Sequence, residues 1–286
     1  MPPAKRTNRE NPQHIRYPLP VTLSVVIITY NEEANIARTL ESVAPLVRDG
    51  QGEVIVVDSG STDRTVEIAR AHDAKVFIEK WQGYAAQKNS AIAKASGAWI
   101  LSLDADEEVA RGMEQAISRI LGPDANVYEE VAGVWFARKN YFLGRWIKHG
   151  GFYPDRKLRL FRKGLGSFAL RAVHETVSVQ GRTVVASHHF SFEDIALTHH
   201  AYPTLSDYIE HMNRYSSLGA EMAVARGQRG SLVNIVFRPL CTFVYNYFFR
   251  LGFLDRREGL LQHLYHAVYV SWKYAKIWEL EHRSLG

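Results

Sequence analysis

Leu23-Ser24-Val25-Val26-Ile27-Ile28-Thr29 runs directly into the polar stretch Tyr30-Asn31-Glu32-Glu33. The first seven residues are rich in β-branched side chains and almost all apolar, as a strand buried on both faces should be. A helical repeat follows, with Ile36, Leu40 and Val43 on one face. The alternation then continues. Glu53 to Asp58 reads as a second buried strand, followed by Ser59-Gly60-Ser61-Thr62-Asp63 and a helix near Arg64 to Ala71. Val76 to Ile78 reads as a short strand, Ala85 to Ala95 as a helix, and Ala98 to Leu103 as a strand ending at Asp104. Met113, Ile117, Ile120 and Leu121 mark a further helix. Strands alternating with helices predict an α/β fold, a mostly parallel sheet with helices on both faces. Ligands of such sheets bind beyond the carboxyl ends of the strands. The chemistry should therefore lie in Tyr30 to Glu33, Asp58 to Asp63 and Asp104 to Glu107.

The rest of the composition agrees with a globular protein. The chain has 286 residues, 46% hydrophobic and 23% charged. A chain of this length buries about 75% of its unfolded surface and needs no covalent staple. Cys241 is the single cysteine, which excludes an intrachain disulfide and a cysteine zinc site and fits a reducing compartment. Residues 1–20 hold five of the ten prolines, lack an apolar signal-peptide core and read as a disordered basic arm. No uninterrupted run of 18 apolar residues occurs. The net charge of +5 is uneven: Arg138 to Arg171 carries ten Lys and Arg against Asp155 alone, +9, which leaves −4 elsewhere. A basic block of this kind expects an anionic partner. Val131 to Ala137 and Lys157 to Phe161 look like strands, and the chain is helical and aromatic from Leu205 onward.

Residues i and i+2 of an extended segment point the same way. Asp104 and Asp106 can thus present two carboxylates to one place, a donor set suited to Mg²⁺ or Mn²⁺ held together with substrate phosphates. An acidic turn that merely caps the next helix is the plain alternative. Asp58, at the end of the second strand, can accept from a ribose hydroxyl or a base N–H, while Ser61, Thr62 and Asp63 suit helix capping. No Gly-x-Gly-x-x-Gly, P-loop or Gly-x-Ser-x-Gly pattern is present, which argues against a dinucleotide-dependent dehydrogenase, a P-loop NTPase and a serine hydrolase.

The strings Val25 to Glu33, Val56 to Asp63 and Leu103 to Glu107, in this order and spacing, resemble the family 2 glycosyltransferases with the GT-A fold. Asn140-Tyr141-Phe142-Leu143-Gly144-Arg145-Trp146, Gly150-Gly151-Phe152-Tyr153-Pro154-Asp155, Arg159-Leu160-Phe161 and Val173-His174-Glu175 are similar to the lipopolysaccharide-core β-1,4-glucosyltransferase subgroup. The resemblance implies an inverting transfer of a hexose, glucose in that subgroup, from a UDP-sugar to an anionic glycolipid or saccharide acceptor. It implies Thr29, Tyr30, Glu32, Asp58, Lys88 and Asp104 at the nucleotide sugar. Asp106 would hold the Mg²⁺ or Mn²⁺, with His199 as a further ligand and His200 in the adjoining aromatic place. Glu175 would be the general base. Arg156 and Arg159, from the basic block, are expected nearest the acceptor. His188 and His189 lack the matching context and read as structural. Residues 21–130 would form the nucleotide-sugar half, 131–204 the acceptor half and 205–286 a helical C-terminal region.

That C-terminal region is apolar over Leu232 to Leu254 but carries Asn234, Arg238, Thr242, Asn246 and Arg250 four residues apart. On a helix this interval drifts by about 40°, so the five form one slanting polar stripe. Two arginines inside a membrane span would cost about 2.5 to 3.5 kcal/mol each, and Pro239 is expected to interrupt the helix. Gly259 to Glu281 is a second helix, with Trp272, Tyr274 and Trp278 suited to a headgroup layer. We therefore expect amphipathic helices lying on an anionic membrane surface, at the cytoplasmic face. Packing on the catalytic core or a homodimer contact is the alternative. A polyprenyl-phosphate glycosyltransferase is the competing enzyme reading, and an inactive nucleotide-sugar-binding membrane scaffold the competing non-enzyme. A nucleotidyltransferase is disfavoured by the missing Gly-rich first loop, and a nucleic-acid partner has only the basic block behind it.

Overall fold

A computed structural model describes residues 22–122, 130–169, 176–186 and 194–283. The N-terminal arm lies outside these residues. The first strand is β1 (Leu23–Thr29), as the apolar run predicts, and every one of its residues is buried. It is followed by α1 (Ile36–Val43), β2 (Gly52–Asp58), α2 (Thr65–Ala71), β3 (Lys75–Ile78), α3 (Tyr84–Lys94) and β4 (Trp99–Asp104). Next come β5 (Glu107–Glu108), α4 (Arg111–Leu121), β6 (Val131–Phe136), β7 (Arg138–Phe142), β8 (Arg145–Trp146) and β9 (Lys157–Arg162). The remaining strands are β10 (Gly166–Phe168), β11 (Val177–Val179), β12 (Arg182–Val185) and β13 (Leu197–Tyr202), before α5 (Leu205–Ala225), α6 (Leu232–Val244) and α7 (Arg256–Arg283).

The main sheet has seven strands in the order β12-β6-β9-β4-β1-β2-β3. Only β9 runs against the others: it is antiparallel to both β4 and β6, while the remaining pairs are parallel. Along β1 the side chains alternate between the two faces. Leu23, Val25 and Ile27 join a core with residues of α1, α2 and α4, whereas Val26 and Ile28 join another with α3, β10 and β11. Register sets the site. Thr29 pairs with Asp58 and Ile28 with Asp104, so the three strand ends finish at nearly one level. β6 and β9, from the half expected to bind acceptor, complete this same sheet.

A second sheet, β5-β13-β7-β8, stands over that edge. In it His199 of β13 lies opposite both Glu107 of β5 and Asn140 of β7. This is how a histidine nearly a hundred residues downstream reaches the Asp104-Ala105-Asp106 turn.

The C-terminal helices depart from expectation in one respect. Thr204 and Asp207 form a reciprocal capping box that starts α5. Pro239 was expected to break the next helix, but α6 continues through it. The carbonyl that Pro239 leaves without a donor, that of Ile235, accepts from Ser271 Oγ on α7 at 3.0 Å. In the polar stripe Arg238 bonds the Tyr274 hydroxyl of α7, and the backbone of Arg250 accepts from Gly150 N (2.8 Å). The apolar side of α6 faces outward.

Candidate active site

Two loops leave the ends of β1 and β2, and their polar residues stitch them together. Asn31 N donates to Ser61 Oγ (2.8 Å), Glu32 N to Thr65 Oγ1 (2.8 Å) and Glu33 N to Asp63 Oδ2 (3.1 Å). In return Thr62 N donates to Asn31 Oδ1 (2.9 Å) and Arg64 N to Glu33 Oε2 (3.0 Å). Asn31 sits at φ 53°, a left-handed conformation that asparagine tolerates.

Asp58 is fully buried, and its carboxylate accepts from Gly60 N, Ser61 N and Ser61 Oγ at 2.9, 2.8 and 2.5 Å. It builds its own loop, a use that the expected ribose contact did not include. Thr29 is buried beside it, and its Oγ1 has no hydrogen-bond partner among the described residues. Tyr30 stands outward at 57% exposure. Glu32 accepts from Asn35 Nδ2 (2.9 Å); burial pushes its carboxyl up, aided by the charges of Asp106, Asp63 and Asp104.

The Asp104 carboxylate is clamped by two cations. Lys88 Nζ, on α3, lies 2.7 Å from Oδ1, and Arg159 Nη2, on β9, lies 2.6 Å from Oδ2. Burial opposes ionisation of Asp104, but Arg159 and Lys88 outweigh it and hold the carboxyl well below the usual range. Arg159 also donates to Glu107 Oε1 (2.5 Å), which accepts from Arg138 Nη1 (2.9 Å). Arg138 Nη2 then donates to Asp155 Oδ2 (2.7 Å), and Lys157 lies 3.0 Å from Asp155 Oδ1. Cations and carboxylates thus alternate from Lys88 to Lys157. Arg159 was expected toward the acceptor. It is instead buried behind the acidic turn, because β9 pairs with β4 and aims its side chain at Asp104. Arg156 is exposed. Glu107 and Arg138 had no role assigned from sequence. The sequence marked them only in general terms, Glu107 as the end of the Leu103 to Glu107 motif and Arg138 as the start of the basic block.

Asp106 is met by His199, whose Nε2 lies 3.2 Å from Oδ2. The other ring nitrogen, Nδ1, lies 2.8 Å from Asn140 Oδ1, which fixes the ring. Burial resists ionisation of Asp106, and His199 overcomes it to lower the carboxyl. His200 stacks on Tyr141, their centroids 5.4 Å apart. Glu175, with His188 and His189, lies outside the described residues.

The three motif-bearing strand ends fall in one stretch of chain that has a family counterpart, and the His199 strand lies beyond it. The model of the family described as Glycosyl transferase family 2 matches residues 24–172. The chain belongs to glycosyltransferase family 2. Among relatives, the lipopolysaccharide core biosynthesis glycosyltransferase LpsC of Rhizobium meliloti is 30% identical over 263 residues, 90% of this chain and 92% of that protein. The uncharacterized glycosyltransferase RT0209 of Rickettsia typhi is 30% identical over 269 residues, 92% of this chain and 88% of its own. The mannosyltransferase PcManGT from Pyrobaculum calidifontis, solved with GDP-Man and Mn²⁺, superposes with a TM-score of 0.52 at 15% identity, over 91% of this chain and 89% of that one, a likeness of fold.

For a glycosyltransferase of this family the donor set can be tested against a divalent cation. Among the described residues no three His, Cys, Asp or Glu side chains gather as a metal cluster. Asp106 and His199 supply one carboxylate and one imidazole. A cation bound together with a nucleotide diphosphate takes only one or two carboxylates from protein, so the pair fits such an ion.

Proposed function

We propose that this glycosyltransferase inverts and transfers a hexose, glucose by its subgroup resemblance, from a UDP-sugar to an anionic acceptor of the lipopolysaccharide-core class at the cytoplasmic face of the membrane. The observation that carries the reading is the meeting of Asp106 and His199 at the edge where Thr29, Asp58 and Asp104 end their strands. Thr29, with its unpartnered hydroxyl, Tyr30, Glu32 and Asp58 form the nucleoside wall. Lys88 lies against Asp104, toward the diphosphate. Asp106 and His199 would hold Mg²⁺ or Mn²⁺, which would supply positive charge to the leaving diphosphate. The likeness to the lipopolysaccharide core biosynthesis glycosyltransferase of Rhizobium meliloti supports the acceptor class.

An acceptor hydroxyl attacks the anomeric carbon, and the bond from that carbon to the diphosphate oxygen breaks with its electron pair. The hydroxyl proton passes to Glu175. Asp155 is the weaker base: burial would raise its carboxyl, but Arg138 and Lys157 hold it down at about 2. Exposed Arg156 faces the acceptor side.

The direct test is transfer from labelled nucleotide sugars to truncated lipopolysaccharide cores, with Mn²⁺ and with excess chelator. UDP-glucose should give labelled product that chelator abolishes. Full turnover in chelator, or a donor preference outside UDP-sugars, overturns the reading.

A further inference from the structure

α6 and the turns after it present an apolar face that the other described residues leave uncovered. Val233, Phe237, Leu240, Val244 and Phe248 recur three or four residues apart, and all are exposed. Phe249 is 75% exposed and Leu232 71%, fractions unusual for large apolar side chains. Leu251, Phe253 and Leu254 continue the face beyond the helix. Within this stretch of chain the exposed charge is cationic, while Glu281 of α7 meets Gly230 just before the helix. Between Glu221 and Glu258 the only acid is Asp255, which is buried against His149, whereas Arg226, Arg229, Arg238, Arg250, Arg256 and Arg257 are all exposed.

The opposite side of α6 is occupied. Pro239 is buried, Arg238 bonds Tyr274, and Ser271 bonds the Ile235 carbonyl, all toward α7. α7 in turn packs on α5, with Lys276 Nζ donating to Asn213 O at 2.7 Å. A spanning α6 would carry Lys273, Lys276 and Glu279 of its partner toward hydrocarbon, at high cost. A second copy of the chain is also a poor occupant. A two-fold contact sets the same patch against itself, which would bring arginine-rich stretches of two copies together, with buried Asp255 the sole acid between residues 222 and 257. Anionic lipid headgroups over an apolar layer complement both features.

We propose that residues 232–254 dock on an anionic lipid bilayer, lying in its plane with the apolar face inserted, and that this docking sets the height of the loop from His149 to Asp155 above the membrane. The proposal rests on the membrane location given above and adds the surface, its orientation and the loop it carries. That loop is fastened to the docking element through Arg250, and to the residues that follow it through Asp255 and, on α7, His263. Gly150 N donates to Arg250 O (2.8 Å), and the Arg250 guanidinium occupies the space a Cβ at Gly151 would need. His149 N and Nδ1 lie 2.7 and 2.9 Å from the Asp255 carboxylate. The His263 ring fills the space beside Gly150 and Gly252, so neither position has room for a side chain. Four residues on, Asp155 joins the charge chain that reaches Asp104. A lipid-anchored acceptor would then meet the site at a fixed depth.

Cys241 is the chain's single cysteine and is exposed on this helix, so the unaltered protein takes one environment-sensitive NBD label there. With vesicles containing phosphatidylglycerol the label should brighten and shift to the blue, and depth-dependent quenchers should place it at the headgroup–acyl boundary. Pure phosphatidylcholine vesicles should give a weaker response. The F237E/F249E variant should keep its melting temperature and its hydrolysis of donor sugar, because both side chains are solvent-exposed. Its partition onto the vesicles should fall by about tenfold for each lost phenylalanine. Loss of donor hydrolysis in the parent with vesicle binding intact would overturn the catalytic reading and still support the docking surface. The docking proposal falls if the label ignores anionic vesicles, or if it sits at the bilayer centre and is released only by detergent. It also falls if sedimentation shows a dimer that F237E/F249E dissociates.

Discussion

Ser271 Oγ on α7 donates to the carbonyl of Ile235 on α6 across 3.0 Å. That carbonyl is the one whose helical donor would have been the N–H of residue 239, where the chain has proline. A helix with an interior proline thus remains continuous because a neighbouring helix satisfies the freed group. This keeps the apolar face of α6 aligned from Leu232 to Val244.

The bond between these two helices can be measured by a double-mutant cycle. Ser271→Ala should cost about 1 kcal/mol in urea unfolding, the usual worth of one hydrogen bond. In a Pro239→Ala background the cost should shrink, since the new N–H at 239 reaches the same carbonyl. An undiminished cost would show that Ser271 stabilises by other contacts.

Asn140 should act on metal-dependent binding through His199. Its Oδ1 lies 2.8 Å from His199 Nδ1 and so sets the direction of Nε2 toward Asp106. Asn140→Ala should weaken UDP binding in Mn²⁺ by about 10–100-fold, the scale of lost outer-shell support. Binding without metal should change little. Calorimetry with and without Mn²⁺ separates the two, and an equal loss in both would assign Asn140 to general folding. Asp106→Asn should abolish the Mn²⁺-dependent part altogether.

Glu107 is fully buried between Arg138 and Arg159. Glu107→Gln removes the charge shared by both guanidiniums and should destabilise the fold by about 3–5 kcal/mol, the cost of breaking a buried ion pair. Chemical denaturation reads this directly. A variant within about 1 kcal/mol of the parent would mean that Asp104 and Asp155 alone can hold the two arginines.

Glu53 should make stability depend on acid. Burial would raise its carboxyl, but Lys75, Ser24 and Ser96 bond it and lower it to about 2, from an ordinary 4.5. A lowered carboxyl favours the folded state fully above pH 4.5 and loses that contribution as pH falls toward 2. The melting temperature should therefore drop across this window. Glu53→Gln should melt lower at pH 7 and show a flatter profile between pH 4.5 and 2. Parallel profiles for the two proteins would count against this role.

Glu175 and Asp155 can be told apart by kinetics. Glu175→Gln should leave UDP-sugar binding nearly unchanged and slow transfer by about 10² or more. Asp155→Asn, which leaves Arg138 partly unpaired, should instead lower stability. Normal transfer by the Glu175 variant would move the proton elsewhere.

The local periods of the sequence determined much of this protein. The run Leu23 to Thr29 is β1 to the residue, and Ile36, Leu40 and Val43 are the buried face of α1. The acidic motifs stand at strand ends because a strand buried on both faces must stop where the chain becomes polar. Which side chains those motifs would meet was a matter of strand pairing. Arg159 reads as one of ten cations in a basic block, and only the pairing of β9 with β4 turns it onto Asp104, 55 residues away. The same holds for Asn140 and His199, joined through β7 and β13. In the C-terminal helices the sequence gives two faces of α6, polar and apolar, but not which of them looks outward. α7 decided that by supplying Tyr274 and Ser271 to the polar side and leaving the apolar side to solvent. Local composition fixes period and burial tendency, whereas partners distant in sequence are chosen by the packing of the whole chain.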